Sequence, residues 1–235
     1  WYRLDEADPG ATWPATFADS SGNGRDITTH ASADNNMITF GERNMPLDDN
    51  DNIKYQRDGT SSEERGIKVP AGFMSDGDTG PFTISVTYKP NQFEYLGNNN
   101  EGHEIAKLDK AVGFRVRSDG TIEVIIESTG GIKHTRFSAA GVISTGTAYM
   151  MTLCYGGQGD TFEVYVNGVQ ALTFSIPTTF PLEVSWGDPA MSFFSRTAYF
   201  GSRNTSDAWF DELLLYKRKL TSAEVAELFQ SSRIT

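Results

Sequence analysis

The most informative segment of the sequence lies near the end of the chain, at residues 209–229, and runs Trp209-Phe210-Asp211-Glu212-Leu213-Leu214-Leu215-Tyr216-Lys217-Arg218-Lys219-Leu220-Thr221-Ser222-Ala223-Glu224-Val225-Ala226-Glu227-Leu228-Phe229. It combines an apolar strand, a basic turn and a short helix. Thr221 and Glu224 have the spacing of a capping box, in which two side chains satisfy backbone N–H groups at the helix start. Three apolar residues then fall on one helical face, namely Val225, Leu228 and Phe229. The segment predicts an apolar strand that carries an Asp-Glu pair, followed by a basic turn and a short capped helix.

In the rest of the chain, short runs of β-forming residues separated by turns recur, which is the pattern of a sandwich or jelly roll. The 235 residues include 23 glycines and are 38% hydrophobic, which suits many strands joined by tight turns. No internal repeat or linker is visible, so we predict one all-β domain over residues 1–235 made of two antiparallel sheets. The expected strands are 82–89, 113–117, 121–127, 149–155, 161–166, 169–174, 198–201 and 209–216.

Two hairpins can be predicted in register. Asn167-Gly168 is a favoured two-residue turn, because both positions need positive φ. It pairs Val166 with Val169 and Val164 with Ala171. The second hairpin needs the three-residue loop Ser118-Asp119-Gly120, a type I turn with a bulge and Gly120 in the left-handed region. Its expected pairs are Val116 with Ile122, Phe114 with Val124, and Arg115 with Glu123.

Two polar segments interrupt this pattern. Residues 44–65 are rich in Asp, Asn and Glu and are predicted to form a long surface excursion between early strands. Residues 95–102 form a second such loop. Long loops in compact domains are often functional.

Composition excludes several classes of protein. The net charge of −11 repels phosphate backbones, which argues against a nucleic-acid partner. The one cysteine, Cys154, rules out an intramolecular disulfide and is expected to be a small buried hydrophobe. No apolar run approaches the roughly 20 residues of a membrane helix, so no membrane insertion is predicted. The chain begins at Trp1 without Met or a signal peptide, which predicts a processed chain or a part of a longer one.

Several pieces, in order along the chain, resemble the laminin-G-like domain, a concanavalin A-like and pentraxin-related family. They are residues 1–6, the loop at 19–26, the strand at 82–90 that ends in Lys-Pro, the Tyr-Val-Asn-Gly hairpin at 162–169, residues 198–203 and the closing segment. One departure is visible, since many relatives have Trp-His-His where this chain has residues 147–151. The resemblance implies a jelly-roll β-sandwich with a short C-terminal helix against one edge and with neighbouring chain termini.

The resemblance also implies a structural calcium ion. Ca²⁺ takes six to eight oxygen ligands, and the loop at 19–26 offers carboxylates, an amide and carbonyls turned inward at glycines. In similar domains this loop approaches the acidic pair of the closing strand. The ligands implied are Asp19, Asn23 and Asp211, with Glu6 as a fourth contributor. The alternative is a tight turn whose side chains cap backbone groups.

Sugar recognition needs an exposed aromatic face with a few amide or carboxylate partners. Trp186 lies in a turn-rich stretch, and Tyr95 is grouped with Asn98 and Asn99; these four are the candidate ligand-binding residues. Ordinary packing under a loop is the alternative, and it is favoured for either grouping taken singly. Trp1, Trp13 and Trp209 are expected in or near the core.

No catalytic motif is recognisable. Glucanases of this fold usually carry Glu-x-Asp-x-x-Glu on one strand, which is missing here. Glu123 and Glu127 share a strand face, but Glu123 is expected to form a solvated ion pair with Arg115. The three histidines lack His-x-x-x-His zinc spacing. Catalytic residues are therefore predicted to be none.

The sequence favours a non-catalytic recognition module that binds glycans or glycosylated surfaces and holds a structural Ca²⁺. Such a module would work outside the cell, on a cell surface or on a virion surface. A second hypothesis is a structural decoration, fibre or adhesion domain that binds protein neighbours in a larger assembly. The third is a divergent glycan-active enzyme, which requires a cleft with two carboxyl groups in opposed environments.

Overall fold

The computed structural model describes residues 16–17, 26–29, 38–42, 52–55, 67–68, 80–93, 102–108, 112–127, 132–175, 191–193 and 207–232. These residues form two antiparallel sheets and one short helix after the last strand. In chain order the elements are β1 (Thr16–Phe17), β2 (Ile27–Thr29), β3 (Ile38–Glu42), β4 (Asn52–Tyr55), β5 (Ile67–Lys68), β6 (Phe82–Gln92), β7 (Gly102–Leu108), β8 (Val112–Arg117), β9 (Ile122–Glu127), β10 (Lys133–Phe137), β11 (Tyr149–Tyr155), β12 (Thr161–Val166), β13 (Val169–Ser175), β14 (Met191–Phe193), β15 (Asp207–Tyr216) and α1 (Ser222–Ser231).

The strands divide into a sheet of eight, ordered β1-β2-β5-β14-β7-β8-β9-β10, and a sheet of seven, ordered β13-β12-β11-β6-β15-β4-β3. The predicted all-β sandwich is thus confirmed. The closing strand β15 lies inside the second sheet, between β6 and β4. A strand late in the sequence therefore joins two pieces of sheet that come from earlier parts of the chain.

The core lies between the sheets and is rich in aromatic rings. On β9 the alternate residues Ile122, Val124 and Ile126 all belong to this core cluster. Opposite them the rings of Tyr155 and Phe162 stack with centroids 4.6 Å apart. The largest fully buried side chains are Tyr88, Tyr155, Phe82, Phe114, Phe162 and Phe210.

The hairpin at Asn167-Gly168 follows the prediction at its turn and departs from it one step later. Asn167 and Gly168 have φ of 51° and 76°, and Val166 pairs with Val169. Val164, however, pairs with Leu172 and not with Ala171, so the second predicted pair is wrong. A bulge between Val164 and Tyr165 shifts the register, and a residue pattern alone does not reveal such an insertion.

The hairpin at residues 118–120 has the predicted register throughout. All three expected pairs are present, including Arg115 opposite Glu123. Gly120 has a φ of 75°, and its N–H donates to the carbonyl of Arg117 at 2.9 Å.

The polar segment 44–65 contains a strand. Its residues Asn52–Tyr55 form β4, which pairs with β3 and with β15. The prediction that this segment is a long surface loop between early strands is therefore wrong at these four residues. A strand this short, flanked by acidic clusters, carries too little period-2 signal to be recognised. The predicted strand at 198–201 and the pairing of the chain ends lie outside the described residues.

The helix α1 begins at the predicted capping box. The backbone N–H of Thr221 donates to Oε2 of Glu224 at 2.8 Å, and the N–H of Glu224 donates to Oγ1 of Thr221 at 3.2 Å. Val225 packs into a second apolar cluster on the outer face of the seven-stranded sheet, with Leu228 and Phe229 against it. The described part of the chain has no helix of the length and hydropathy needed to span a bilayer.

Cys154 and Trp209 both lie in this second cluster. Cys154 is fully buried, as predicted, and burial raises the pKa of its thiol to about 11. It is therefore a packing residue and a poor nucleophile at neutral pH.

Candidate functional site: a polar cavity beside the C-terminal helix

An open cavity of about 610 Å³ lies on the outer face of the seven-stranded sheet, where the β12–β13 hairpin meets the start of α1. Its walls come from two segments that are some fifty residues apart in the sequence. The lining residues are Glu163, Tyr165, Gly168, Gln170, Lys219, Leu220, Thr221 and Ser222.

Strand alternation places the polar groups. On β12, Phe162 and Val164 belong to the core between the sheets, so Glu163 and Tyr165 face the other way. The turn that leads to α1 is fixed on the sheet by Thr83, whose hydroxyl donates to the carbonyl of Arg218 at 2.8 Å. The same hydroxyl accepts the N–H of Leu220 at 3.0 Å. This anchor sets Lys219 beside Glu163.

Lys219 is the centre of a hydrogen-bond network. Its ammonium donates to Oε1 of Glu163 and to Oγ1 of Thr161, both at 2.7 Å, and lies 3.6 Å from Oδ1 of Asp160. Tyr165 donates its hydroxyl to the other carboxylate oxygen of Glu163 at 2.7 Å. Both oxygens of Glu163 are thus held in place by groups from the strand and from the turn.

The network keeps its two central charges ionised. Burial alone would raise the pKa of Glu163, but hydrogen bonds from Lys219, Tyr165 and Thr161 outweigh it and lower the pKa. Burial alone would lower the pKa of Lys219, and the interaction with Glu163 raises it instead. Burial, and then the bond to Glu163, raises the pKa of Tyr165 well above its usual range. The cavity therefore presents a fixed acceptor, a fixed cation and a neutral phenol at neutral pH.

This arrangement suits binding better than reaction. Glycoside hydrolysis needs two carboxyl groups across the scissile bond, and Glu163 is the single carboxylate among the described lining residues. Its low pKa also makes it a poor general acid. The groups present can exchange hydrogen bonds with a polar ligand, and no described lining residue is an activated nucleophile.

Most of the residues predicted to form sites lie outside the described part of the chain. These are the ligand-binding candidates Trp186, Tyr95, Asn98 and Asn99, and the calcium candidates Glu6, Asp19 and Asn23. Asp211 is described: it is buried on β15 opposite Thr87, and its Oδ1 accepts the N–H of Glu212 at 2.8 Å. The strand bulges just after it, where Glu212 has a φ of 50°.

Within the described residues, no three His, Cys, Asp or Glu side chains lie close enough together to hold a metal ion. Because three of the four predicted ligands fall outside those residues, the calcium site stays a prediction. The bulge beside Asp211 shows that the local backbone departs from a regular strand at this acidic pair.

The ion pair between Arg115 and Glu123 is present, but the prediction that it is solvated is wrong. The two side chains are only 7% and 5% exposed, and they bond through Nε and Oε2. Glu104 lies across from Arg115 on the neighbouring strand and is also buried. The pairing of Arg115 with Glu123 can be predicted from the local sequence. The burial of the two side chains cannot, because burial depends on the tertiary structure.

The sequence reasoning missed Glu163, Tyr165 and Lys219. A usable signal was present: Thr161, Glu163 and Tyr165 are the outward positions of a predicted strand, and all three are polar or amphipathic. Lys219 stands two residues before the capping box. What the sequence could not supply was the juxtaposition of these two segments.

The chain matches a known protein family and several solved structures. Residues 58–226 match the family model described as the concanavalin A-like lectin/glucanases superfamily, of the laminin G type. No curated protein sequence gives a match.

Solved structures with the same fold include toxin binding domains. The binding domain of botulinum neurotoxin serotype G is 14% identical with a TM-score of 0.66, over 92% of this chain and 48% of that one. A structure of botulinum neurotoxin type C, a toxin whose cell entry depends on interaction with two ganglioside molecules, is 15% identical with a TM-score of 0.66. The match covers 93% of this chain and 49% of that one. The binding domain of Paraclostridial Mosquitocidal Protein 1 is 14% identical with a TM-score of 0.67, over 97% and 53%. The chain thus spans about half the length of the structures it matches.

Proposed function

The chain belongs to the concanavalin A-like lectin/glucanases superfamily, and from that premise we propose that it is a non-catalytic module that binds glycans or glycosylated surfaces. The observation that carries the proposal is the match of residues 58–226 to this family, together with the two-sheet sandwich that the chain forms. Fold alone does not determine function, because the same sandwich hosts lectins, adhesion modules and enzymes. The open polar cavity, with one carboxylate among its described lining residues, favours binding over catalysis.

The neighbours with the same fold support a recognition role. One is a toxin whose entry depends on gangliosides, and another is the binding domain of botulinum neurotoxin DC in complex with rat synaptotagmin II. On the basis of these two neighbours we propose an extracellular, cell-surface or virion-surface location for this chain. The proposal further includes a structural Ca²⁺ held by Asp19, Asn23, Asp211 and Glu6, and sugar contacts from Trp186 and from Tyr95 with Asn98 and Asn99.

A protein-binding structural or adhesion domain is the second candidate. The observation that favours it is that β10 and β13 are edge strands among the described residues, and that the apolar side chains of Ile132, Phe137 and Val169 are exposed in or next to them. Sheet edges with exposed apolar groups are places where another chain can pair.

A glycan array separates the two candidates. The purified chain is applied to neutral, sialylated and sulfated glycans, once with Ca²⁺ and once with a chelator. Selective binding establishes the glycan module, and loss of binding with the chelator assigns the metal a role in it. A blank array under both conditions contradicts the glycan proposal and favours the protein-binding one.

A further inference from the structure

We infer that the cavity between the β12–β13 hairpin and the start of α1 binds a neutral, polyhydroxylated ligand, the terminal sugar unit of an uncharged glycan. This inference rests on the proposed function, and it names both the place of binding and the ligand class. The described residues that line the cavity are not among those that the sequence singled out, and Trp186, Tyr95, Asn98 and Asn99 lie outside the described part of the chain.

The size and openness of the cavity fit such a ligand. Small-molecule sites in proteins usually measure about 300–1,000 Å³, and this one measures about 610 Å³. It opens on the outer face of a sheet, so the end of a long glycan can enter while the remainder stays in solvent. Two of its described lining residues are almost completely buried, the apolar Leu220 and the aromatic Tyr165.

The polar groups match the hydroxyl groups of a sugar. A hydroxyl group is both a donor and an acceptor, so it binds best where an acceptor and a donor stand side by side. Glu163 and Lys219 are such a pair, with 2.7 Å between their bonded atoms. Gln170 and Ser222, both exposed at the rim, add an amide and a hydroxyl that can each donate and accept.

The pair is also preorganised. Tyr165 and Thr161 hold the carboxylate of Glu163, and the Thr83 anchor fixes the turn that carries Lys219. A ligand then finds its partners already oriented and loses less entropy in ordering side chains. Charged partners also form stronger hydrogen bonds than neutral ones.

The charge balance selects against anionic sugars. Lys219 is the single cation among the described lining residues, and it already faces Glu163 and Asp160. The nearby Arg218 is paired with Glu224 at 2.8 Å. A carboxylate or sulfate on the ligand would meet carboxylates without a surplus positive charge, which is unfavourable.

The test uses a substitution that fills the cavity and leaves the helix cap intact. Ser222→Trp places an indole at the rim next to the capping box, whereas Ser231→Trp makes the same change at the exposed far end of α1 and is the matched control. Gln170→Ala removes one rim amide, with Gln230→Ala as the control on the helix. Unchanged Tm values establish that each variant is folded.

Wild-type and variant chains are applied to the same array of neutral, sialylated and sulfated glycans, and the strongest neutral glycan is then titrated by calorimetry. We expect Ser222→Trp to weaken binding at least about 10-fold and Gln170→Ala about 3–10-fold, as for loss of one hydrogen bond. Both controls should bind as the wild type does.

The outcomes distinguish this inference from the proposed function. If the wild type binds a neutral glycan and Ser222→Trp binds it equally well, the cavity is not the site and the inference fails while the glycan module stands. If only sialylated or sulfated glycans bind, the ligand class is wrong. If the wild type binds no glycan, the proposed function fails and the inference fails with it.

Discussion

Arg115 and Glu123 face away from the core and are nevertheless almost completely buried. Taking two charges out of water is costly, and their mutual attraction compensates only if both partners remain. Glu104 is also buried and lies opposite Arg115 on β7, so Arg115 on β8 stands between two strands that each carry a buried carboxylate. The outward-facing side of β7, β8 and β9 thus contains buried charges whose contribution to stability depends on charge balance.

Removing one partner of this pair should be more harmful than removing both. We expect Arg115→Met to lower the free energy of unfolding by about 3–5 kcal/mol, because it leaves a carboxylate buried without its cation. The double variant Arg115→Met with Glu123→Leu should recover a large part of that loss. Urea unfolding of the three chains measures both effects. If the double variant is as unstable as Arg115→Met or less stable than it, the two side chains are not coupled in this way.

His103 is also buried, and it makes the free energy of unfolding depend on pH. The hydroxyl of Tyr88 lies 2.6 Å from its Nδ1, and burial lowers the pKa of the imidazole to about 4. In the unfolded chain the pKa of a histidine is about 6.5, so between pH 6.5 and 4 the unfolded state binds more protons than the folded state. Stability therefore falls as the pH falls through this window.

From pH 7 to pH 4 this one group should lower the free energy of unfolding by about 3 kcal/mol. The loss levels off as the pH falls through the folded pKa of about 4 and is complete roughly one unit below it. Urea unfolding at pH 7, 5.5 and 4 measures the trend, and His103→Gln isolates it from the carboxylates. A variant with the same pH dependence as the wild type would show that His103 is not responsible.

At the scale of elements, the turn at residues 118–120 depends on one glycine for two reasons. Gly120 has a positive φ, and a Cβ placed on it would lie 2.1 Å from the carbonyl oxygen of Ile143. The same segment is bonded to the turn, since the N–H of Ile143 donates to the carbonyl of Gly120 at 3.0 Å. Gly146 has a nearly equal φ of 77°, and its Cβ would meet nothing within 4 Å.

These two glycines separate backbone strain from steric overlap. Gly146→Ala should cost about 1 kcal/mol of stability, from the left-handed conformation alone. Gly120→Ala should cost about 2–4 kcal/mol, because a backbone contact must also open. Thermal and urea unfolding of the two variants measure the difference. Similar decreases in the free energy of unfolding for the two variants would mean that the backbone at Ile143 can move away from residue 120 without loss of stability.

The sequence predicts those elements whose signals are local. The strands β11 and β12, the turn at Gly120 and the cap at Thr221 each depend on residues within a few positions of one another, and all four are observed. The bulge after Val164 and the short strand β4 were missed, because a bulge follows from packing and four residues hold little periodicity. Local pattern thus determines element type more reliably than register.

The cavity could not have been predicted in the same way. Glu163 and Lys219 are 56 residues apart and meet because the turn between β15 and α1 passes over the outer face of the sheet beside β12. Conversely, the calcium and sugar predictions came from family resemblance and loop composition, and all but Asp211 fall outside the described residues. Each polar residue was visible in the sequence, but their proximity is a property of the tertiary fold.

At the scale of the whole molecule, the predicted Ca²⁺ would join the loop at 19–26 to the closing strand. A ligand that binds the folded state alone stabilises it by about 2.7 kcal/mol at 100 times its Kd. Ca²⁺ should therefore raise the Tm of the wild type relative to a chelated sample. Asp211→Asn should abolish that rise, while Asp119→Asn, in an exposed turn, should retain it. A Tm rise that survives in Asp211→Asn removes this residue from the ligand set.

The position of β15 has a consequence for the order in which the molecule can be built during translation. The hairpin of β3 and β4 and the group β6, β11, β12 and β13 are made earlier, and among the described strands β15 is the one that pairs with both parts. Until residues 207–216 leave the ribosome, β4 and β6 therefore lack the strand that lies between them in the finished sheet. The seven-stranded sheet is completed by a late joining step, and before that step the edges of β4 and β6 that pair with β15 are exposed to mispairing.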